Sequence, residues 1–302
     1  MSKIRVRFFS SFCDSDNCKS VYERLCDTSN NPTYGSEKDI FIVSDDSYTH
    51  AIVINTATPT LLVPKENVIG LAFEPTPFLA AHFSYSFLKY TQKYISKYLI
   101  GDTTNLQSPF QNQYAFMWHI TPPTRIPVKN RLMSIMVSQK TQAPGHQYRH
   151  TLVDAILKSN LDIDIYGRGC QFYSPNDSRI KGQFNDDEPY ENYHFHICIE
   201  NFSLPNYTSE KYTNPVLWGT TPIYWGAHNP LFPELTITLS GDVKMDMILL
   251  RNIIENPEQY KYDINQNKIR QRLNLIENLQ NLFSTPFNRI TPAQKVGVFE
   301  YN

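Results

Sequence analysis

Four residues in the stretch 194–226 have types and spacings that suit a phosphorylated sugar: Asn201, Tyr207, Glu210 and Lys211. Lys211 is a point charge for a diphosphate, and the free N–H groups of a first helical turn would add to it. Glu210 cannot bind phosphate. It could accept hydrogen bonds from vicinal ribose hydroxyls, or face positive charge developing on a sugar. Tyr207 offers a ring to stack on and a hydroxyl to donate. The bland reading of Glu210 and Lys211 is a solvated helix start, the commoner case for adjacent charges.

The elements that must hold these side chains follow from the pattern. Residues 194–199 are an apolar run, long enough for a buried strand and too short for a helix. Glu200 and Asn201 stand at its end, before a loop with Pro205 and Asn206. Thr208 or Ser209 can cap a helix running toward Trp218. Gly219 stops that helix, and residues 223–225 read as the next strand, closed by Gly226. Strand, polar loop, charged helix start and strand make half of a nucleotide-binding layer. In such sheets the ligand sits beyond the carboxyl ends of the strands, near helix N-termini.

Two more residues stand at comparable places. Glu74 follows an apolar run, residues 67–73, and precedes Pro75 and Pro77, which bias their neighbours toward extended geometry. A carboxylate there can take a proton as a general base; the structural alternative is a cap for the helix that follows. Arg149 lies in the first turns of an amphipathic helix with Leu152, Val153, Ile156 and Leu157 on one face, after a loop containing Gly145. An arginine so placed can fork two phosphate oxygens with the helix dipole assisting. Arg131 and His146 are weaker candidates, and a surface arginine is the plain alternative.

The rest of the chain supplies the frame. Residues 3–10, 39–44, 50–55, 67–73 and 98–101 read as strands of a first α/β layer, with helix-like spacing over 78–98. Residues 120–130 hold three prolines and two basic residues without periodicity, and read as a linker. Strands are expected again at 131–138, within 162–169 and at 235–239, and a helix from Val243 onward. Ile269, Leu273, Ile276, Leu279 and Leu282 form a stripe at helical spacing, the ordinary core-facing pattern rather than a membrane-binding face. Asp162 and Asp164 make an Asp-x-Asp pattern, but alternating with Ile163 and Ile165 they read as one polar edge, and no metal site is assigned. Asn185 to Glu188, before Pro189, reads as a helix start. Trp118, His119 and His82 read as packed or surface residues.

A chain of 302 residues points to two domains. Its formal charge of −1 argues against a general nucleic-acid binder, which would be basic. Five cysteines, without C-x-x-C spacing, suit reduced thiols in a cytosol. No run approaches the ~20 apolar residues that would span a bilayer, and the first residues lack the apolar core of a signal peptide. The expectation is a soluble, cytoplasmic protein.

Residues 194–226 resemble the donor-binding signature of glycosyltransferase family 10, the α-1,3/4-fucosyltransferases. Phe195 with Glu200-Asn201, then Tyr207-Thr208-Ser209-Glu210-Lys211, then Pro222 to Gly226 carry the resemblance. Ser209 stands where the family usually has Thr, a swap that keeps the capping hydroxyl. Glu74-Pro75-Thr76-Pro77 is similar in position to the family's catalytic glutamate. The strand–loop–helix around Arg149 is similar to that of its phosphate-binding arginine, and Tyr166-Gly167 to the end of one of its strands. Without an evident anchor, the chain looks more like the soluble bacterial or viral members.

The resemblance implies the α/β GT-B architecture, two Rossmann-like domains facing a central cleft. Residues 1–122 would be the acceptor-side domain, 123–130 a linker, and 131–302 the donor domain with its C-terminal helices. It implies transfer of L-fucose from GDP-β-L-fucose to a hydroxyl of a glycan acceptor containing N-acetylglucosamine or galactose, with inversion and an α-1,3 linkage. Glu74 would be the general base and Glu210 a second catalytic residue. Arg149, Tyr166, Gly167, Glu200, Asn201, Tyr207, Ser209 and Lys211 would bind the donor, with no metal or other cofactor. Two alternatives stay open: another nucleotide sugar on the same fold, or a glycan-binding module without catalysis.

Overall fold

Strands covered on both faces read as continuous apolar runs, and residues 50–54 show why. Ala51 and Val53 enter one core while Ile52 and Ile54 enter the core on the opposite face of the same sheet. The computed structural model describes residues 3–25, 31–103, 105–113 and 120–284. The reading of Trp118 and His119 falls outside them.

The first unit runs β1 (Ile4–Phe9), α1 (Ser15–Leu25), β2 (Ile40–Val43), β3 (His50–Ile54), β4 (Val68–Leu71), α2 (Thr76–Ala80), α3 (Tyr85–Tyr94), β5 (Lys97–Ile100) and β6 (Phe110–Asn112). Its six strands are all parallel, in the order β2-β1-β3-β4-β5-β6. Helix-like spacing over 78–98 resolves into two helices. The second begins where Ser84 accepts a hydrogen bond from Phe87 N, a side-chain cap that lets the chain restart at a new angle.

The second unit runs β7 (Arg131–Met136), α4 (Pro144–Leu157), β8 (Asp164–Tyr166), β9 (Ile180–Gly182), α5 (Glu188–Glu191), β10 (Tyr193–Ile199), α6 (Glu210–Leu217), β11 (Thr221–Trp225), β12 (Ile237–Thr238) and α7 (Val243–Glu255). It too is a six-stranded parallel sheet, ordered β12-β11-β10-β7-β8-β9. Counted from β7, that is the doubly wound Rossmann order, with its direction reversing between β7 and β10. α4 and α7 pack one face, while α6 and α8 (Gln266–Leu273) pack the other.

One boundary differs from the sequence reading. The apolar stripe is core-facing as expected, but it breaks at Asn274 into α8 and α9 (Leu275–Ser284). Ile269 and Leu273 enter the second unit's core, whereas Leu275, Ile276 and Leu279 are fully buried in the first unit's core beside Val6, Ile40 and Leu99. Helix α9 therefore packs into the first unit rather than into a donor domain running from residue 131 onward. The stripe carries a period, and a period does not say which sheet it will meet.

Candidate functional site

The carboxyl ends of both sheets face one cleft. A cavity of about 820 Å³ there is lined by Asn55, Glu74, Phe78 and His82 of the first unit. His146, Arg149, Asn201, Tyr207, Glu210 and Lys211 of the second unit line the same space. A second cavity of about 330 Å³ shares Ser138, Lys140, Arg149, Glu210 and Lys211 with it and runs into the second unit, past Met136, Gly167, Phe184 and His196. It opens beside β7 and β10, at the switch point where such sheets take their ligands.

Glu74 is half-buried at the cleft, three residues beyond β4. Its place is set by Asn55, which takes a left-handed backbone conformation at φ 51° and accepts from Phe73 N at 2.9 Å. Asparagine is one of the few residues at home there. The Asn55 carbonyl is held in turn by the buried hydroxyl of Tyr98, at 2.6 Å. The N-cap of α2 is Pro75, so Glu74 stands one residue before the cap position.

On the opposite wall, α4 begins at Pro144, so Gly145 is in its first turn rather than in a loop. A Cβ on Gly145 would lie 1.7 Å from the Glu200 carbonyl oxygen, so only glycine lets this helix abut the end of β10. Arg149 follows one turn later, buried, and donates through Nη2 to the Ile199 carbonyl. Burial pushes its guanidinium down to about 10, while Glu200 and Glu210 pull the other way. It stays charged at neutral pH. His146, also buried, accepts from Ala143 N through Nδ1 at 3.2 Å. Burial, Arg149 and Lys140 lower its pKa to about 4, against the pull of the Asn201 amide, so the ring is neutral.

Ser209 is the N-cap of α6, accepting from Lys211 N at 3.3 Å. Lys211 Nζ lies 2.9 Å from Glu210 Oε1, 3.2 Å from Ser209 Oγ and 3.8 Å from Glu200 Oε2. Burial alone would lower the lysine pKa, but Glu210 and Glu200 outweigh it and raise it above the usual value. Glu200 is fully buried and accepts from Ser209 N at 2.7 Å and Ser209 Oγ at 2.6 Å. Its pKa is raised by burial, against the attraction of Lys211. Tyr207 is pushed well up by burial and then by Glu200, Glu210 and Glu74, so its hydroxyl remains a donor.

The expected set is thus partly gathered and partly not. Glu74, Arg149, Asn201, Tyr207, Glu210 and Lys211 line one cavity, and Gly167 lines the adjoining one at φ 111°. Among the described residues the buried Asn201 Oδ1 makes no hydrogen bond of ordinary geometry, though its amide is near enough to His146 to act on that ring. Tyr166, Glu200 and Ser209 lie outside the lining of both cavities. The Tyr166 hydroxyl meets that of Tyr193 at 2.8 Å in a buried pair. Glu200 and Ser209 bond each other and so position Lys211. Asp162 and Asp164 do not share a polar edge: Asp162 is exposed, and Asp164 is buried against Arg131, Lys181 and Tyr193. That pairing also removes Arg131 from the phosphate candidates. Among the described residues no group of three His, Cys, Asp or Glu is placed to hold a metal ion, and no helix is long and apolar enough to cross a membrane. Asn55 and Phe78 were missed, since neither has a sequence signal apart from position after a strand or before a turn.

Two Rossmann-like units facing a shared cleft define the GT-B class of glycosyltransferase folds. Residues 126–236 match the model of glycosyltransferase family 10 (fucosyltransferase), C-terminal part. The matched stretch lies in the second unit and the segment leading into it, and it contains Arg149, Asn201, Tyr207, Glu210 and Lys211. It is 27% identical over 174 residues to a putative fucosyltransferase of Acanthamoeba polyphaga mimivirus, covering 49% of this chain and 29% of that protein. It is 26% identical over 135 residues to a putative fucosyltransferase-like protein of Arabidopsis thaliana, covering 44% of this chain and 24% of that one. The matched region thus spans under a third of either relative's length. A solved α1,3-fucosyltransferase with GDP-fucose superposes with a TM-score of 0.49 at 11% identity, over 94% of this chain and 91% of that one.

Proposed function

We propose that this chain is an inverting glycosyltransferase that moves L-fucose from GDP-β-L-fucose to a hydroxyl of a glycan acceptor, forming an α-1,3 linkage. The observation that carries the reading is one cavity with a carboxylate on one wall and two cations on the other: Glu74 facing Arg149 and Lys211. The apolar side cavity along β7 and β10 suits a nucleotide base, with its diphosphate at Arg149 and Lys211.

Glu74 takes the proton from the acceptor hydroxyl as its oxygen attacks the anomeric carbon. The bond from that carbon to the diphosphate breaks on the opposite face, which inverts the configuration. Negative charge then grows on the leaving GDP, where Arg149 and Lys211 offset it; such fixed charges are worth several kcal/mol in a dry site. Tyr207 and Asn201 orient diphosphate and sugar by hydrogen bonds. Glu210 holds ribose hydroxyls or faces the oxocarbenium-like carbon. With two cations doing this work, the reaction needs no divalent metal, and turnover should persist in excess EDTA.

The test is ligand-dependent stability. GDP at 100 times its dissociation constant should add ~2.7 kcal/mol to unfolding. A melting temperature unmoved by saturating GDP but raised by UDP would show that the donor is wrong.

A further inference from the structure

The side cavity that suits a nucleotide base carries a hydrogen-bonding group to which the reaction above assigns no role. His196 stands in the middle of β10, three residues in from the end of that strand, and lines the cavity together with Met136 and Cys198. Side chains alternate along a strand, so His196 and Cys198 share a face. It is the face packed by α5 and α6: Cys198 and Met136 meet Tyr190, Tyr212 and Val216 there, and the His196 ring lies 5.0 Å from that of Tyr190.

The neighbours of the ring decide which nitrogen carries its proton. The Ser134 hydroxyl donates to the Pro189 carbonyl at 2.6 Å, and it has one proton to give. Toward His196 Nδ1, 2.8 Å away, its oxygen can therefore only accept. Burial, with Arg149 adding to it, lowers the pKa of the ring to about 3 against the pull of the Pro189 carbonyl, so the ring is neutral. Its single proton is on Nδ1, and Nε2 keeps a lone pair. Among the described residues the ring's one hydrogen bond of ordinary geometry is the one at Nδ1.

A lone pair on the wall of a mainly apolar cavity reads N–H groups. Arg149 and Lys211 stand where this cavity joins the cleft, and His196 lies further along β10. With its diphosphate on those cations, a base enters with the edge away from its ribose foremost. That edge is centred on N1, where guanine carries an N–H and adenine a lone pair. Guanine gives Nε2 a proton to accept; adenine sets two acceptors face to face with none between them.

We propose that His196 selects the base of the donor, its Nε2 accepting the N1–H of guanine while Ser134 holds the ring in the tautomer that can do so. Phe184 lines the same cavity and gives the base a ring to lie against. This rests on the glycosyltransferase reading and adds to it the residue that tells a guanine nucleotide from an adenine one.

The experiment is calorimetric titration of the full chain with GDP, inosine diphosphate and ADP, on wild type and on His196→Leu. Inosine diphosphate keeps the N1–H of guanine and lacks its 2-amino group. Leucine leaves the Ser134 hydroxyl on the Pro189 carbonyl, so no donor is stranded in the core. Wild type should bind GDP and inosine diphosphate ~10-fold or more above ADP, the scale of one buried hydrogen bond. His196→Leu should bring both to within a few-fold of ADP and leave ADP binding unchanged. A role confined to packing would instead weaken all three alike, and that result overturns the proposal. A variant that keeps the full preference for GDP overturns it too. Wild type alone also decides, should the variant fail to fold: GDP and ADP bound equally, or inosine diphosphate bound as weakly as ADP, overturns the assignment. No binding of any of the three removes the donor reading itself, and the role of His196 with it.

Discussion

Tyr207 donates its hydroxyl to the carbonyl of Phe73, across the two units and one residue before Glu74. The bond is long, 3.4 Å, but it does not act alone. Asn206 N donates to the Gly101 carbonyl at 3.1 Å and Asn206 Nδ2 to Asn112 Oδ1 at 2.7 Å. The donor-motif loop is thereby seated on the carboxyl edge of the first sheet, where a Cβ on Gly101 would come within 2.8 Å of Tyr207 Cβ. Tyr207→Phe should cost ~1 kcal/mol or less in stability, the net worth of one hydrogen bond. The proposed donor contact, which requires the hydroxyl to leave the Phe73 carbonyl when GDP-fucose binds, predicts a ~10-fold fall in turnover as well. Denaturant titration and steady-state rates on the same preparation would separate the two; unchanged turnover would confine Tyr207 to the seam.

Glu74→Gln should leave GDP affinity nearly intact and cut turnover by ~10²-fold or more, as for loss of a positioned base. Lys211→Ala should weaken nucleotide binding and rate together, since in the proposed reaction its charge meets the diphosphate before and during transfer. Calorimetric GDP affinity and kinetics on both variants check this. A folded Glu74→Gln protein within a few-fold of wild-type turnover would remove Glu74 from the mechanism.

Glu200→Ala should lower stability by ~3 kcal/mol or more, because it strips a buried carboxylate from Ser209 and Lys211 and leaves their donors without partners. GDP affinity should fall with it, as the start of α6 loosens. A direct donor contact by Glu200, as the resemblance implies, predicts instead lost affinity with stability retained, and comparing unfolding midpoints with GDP titrations decides which.

Acid should weaken the fold through two histidines. Burial, with Arg149 adding to it, lowers the pKa of His196 to about 3, and His146 lies at about 4, both from an unperturbed 6.5. A depressed folded pKa means that the unfolded chain binds more protons in this window. Stability is therefore full above pH ~6.5 and falls as pH drops toward the folded values, by ~2 kcal/mol per histidine between pH ~6.5 and ~5. Urea midpoints across that range would show the slope, and His196→Gln should roughly halve it, leaving the part due to His146; a flat wild-type profile would contradict the account.

Much of this was legible because buried parallel strands and strand-end motifs leave local signals. The apolar runs located β3, β4, β7 and β10, and the positions just past them located Glu74 and Asn201. What the sequence hid was decided across space. β6 and β9 are three-residue edge strands whose exposed side chains show no period. Nothing in the local pattern of Tyr166 says that its hydroxyl meets Tyr193, nor that the Glu200 carboxylate turns inward to Ser209. Helix α9 is the same case at larger scale: an apolar face does not name its partner.

Because α9 completes the core that β1 began, the second unit is in effect an insertion within the first. Among the described residues the chain crosses between units through residues 120–130 and again at Asn274. Synthesis imposes an order as well. The sheet of β1 to β6 leaves the ribosome early, yet the pocket that takes Leu275, Ile276 and Leu279 stays unfilled until the whole second unit has emerged.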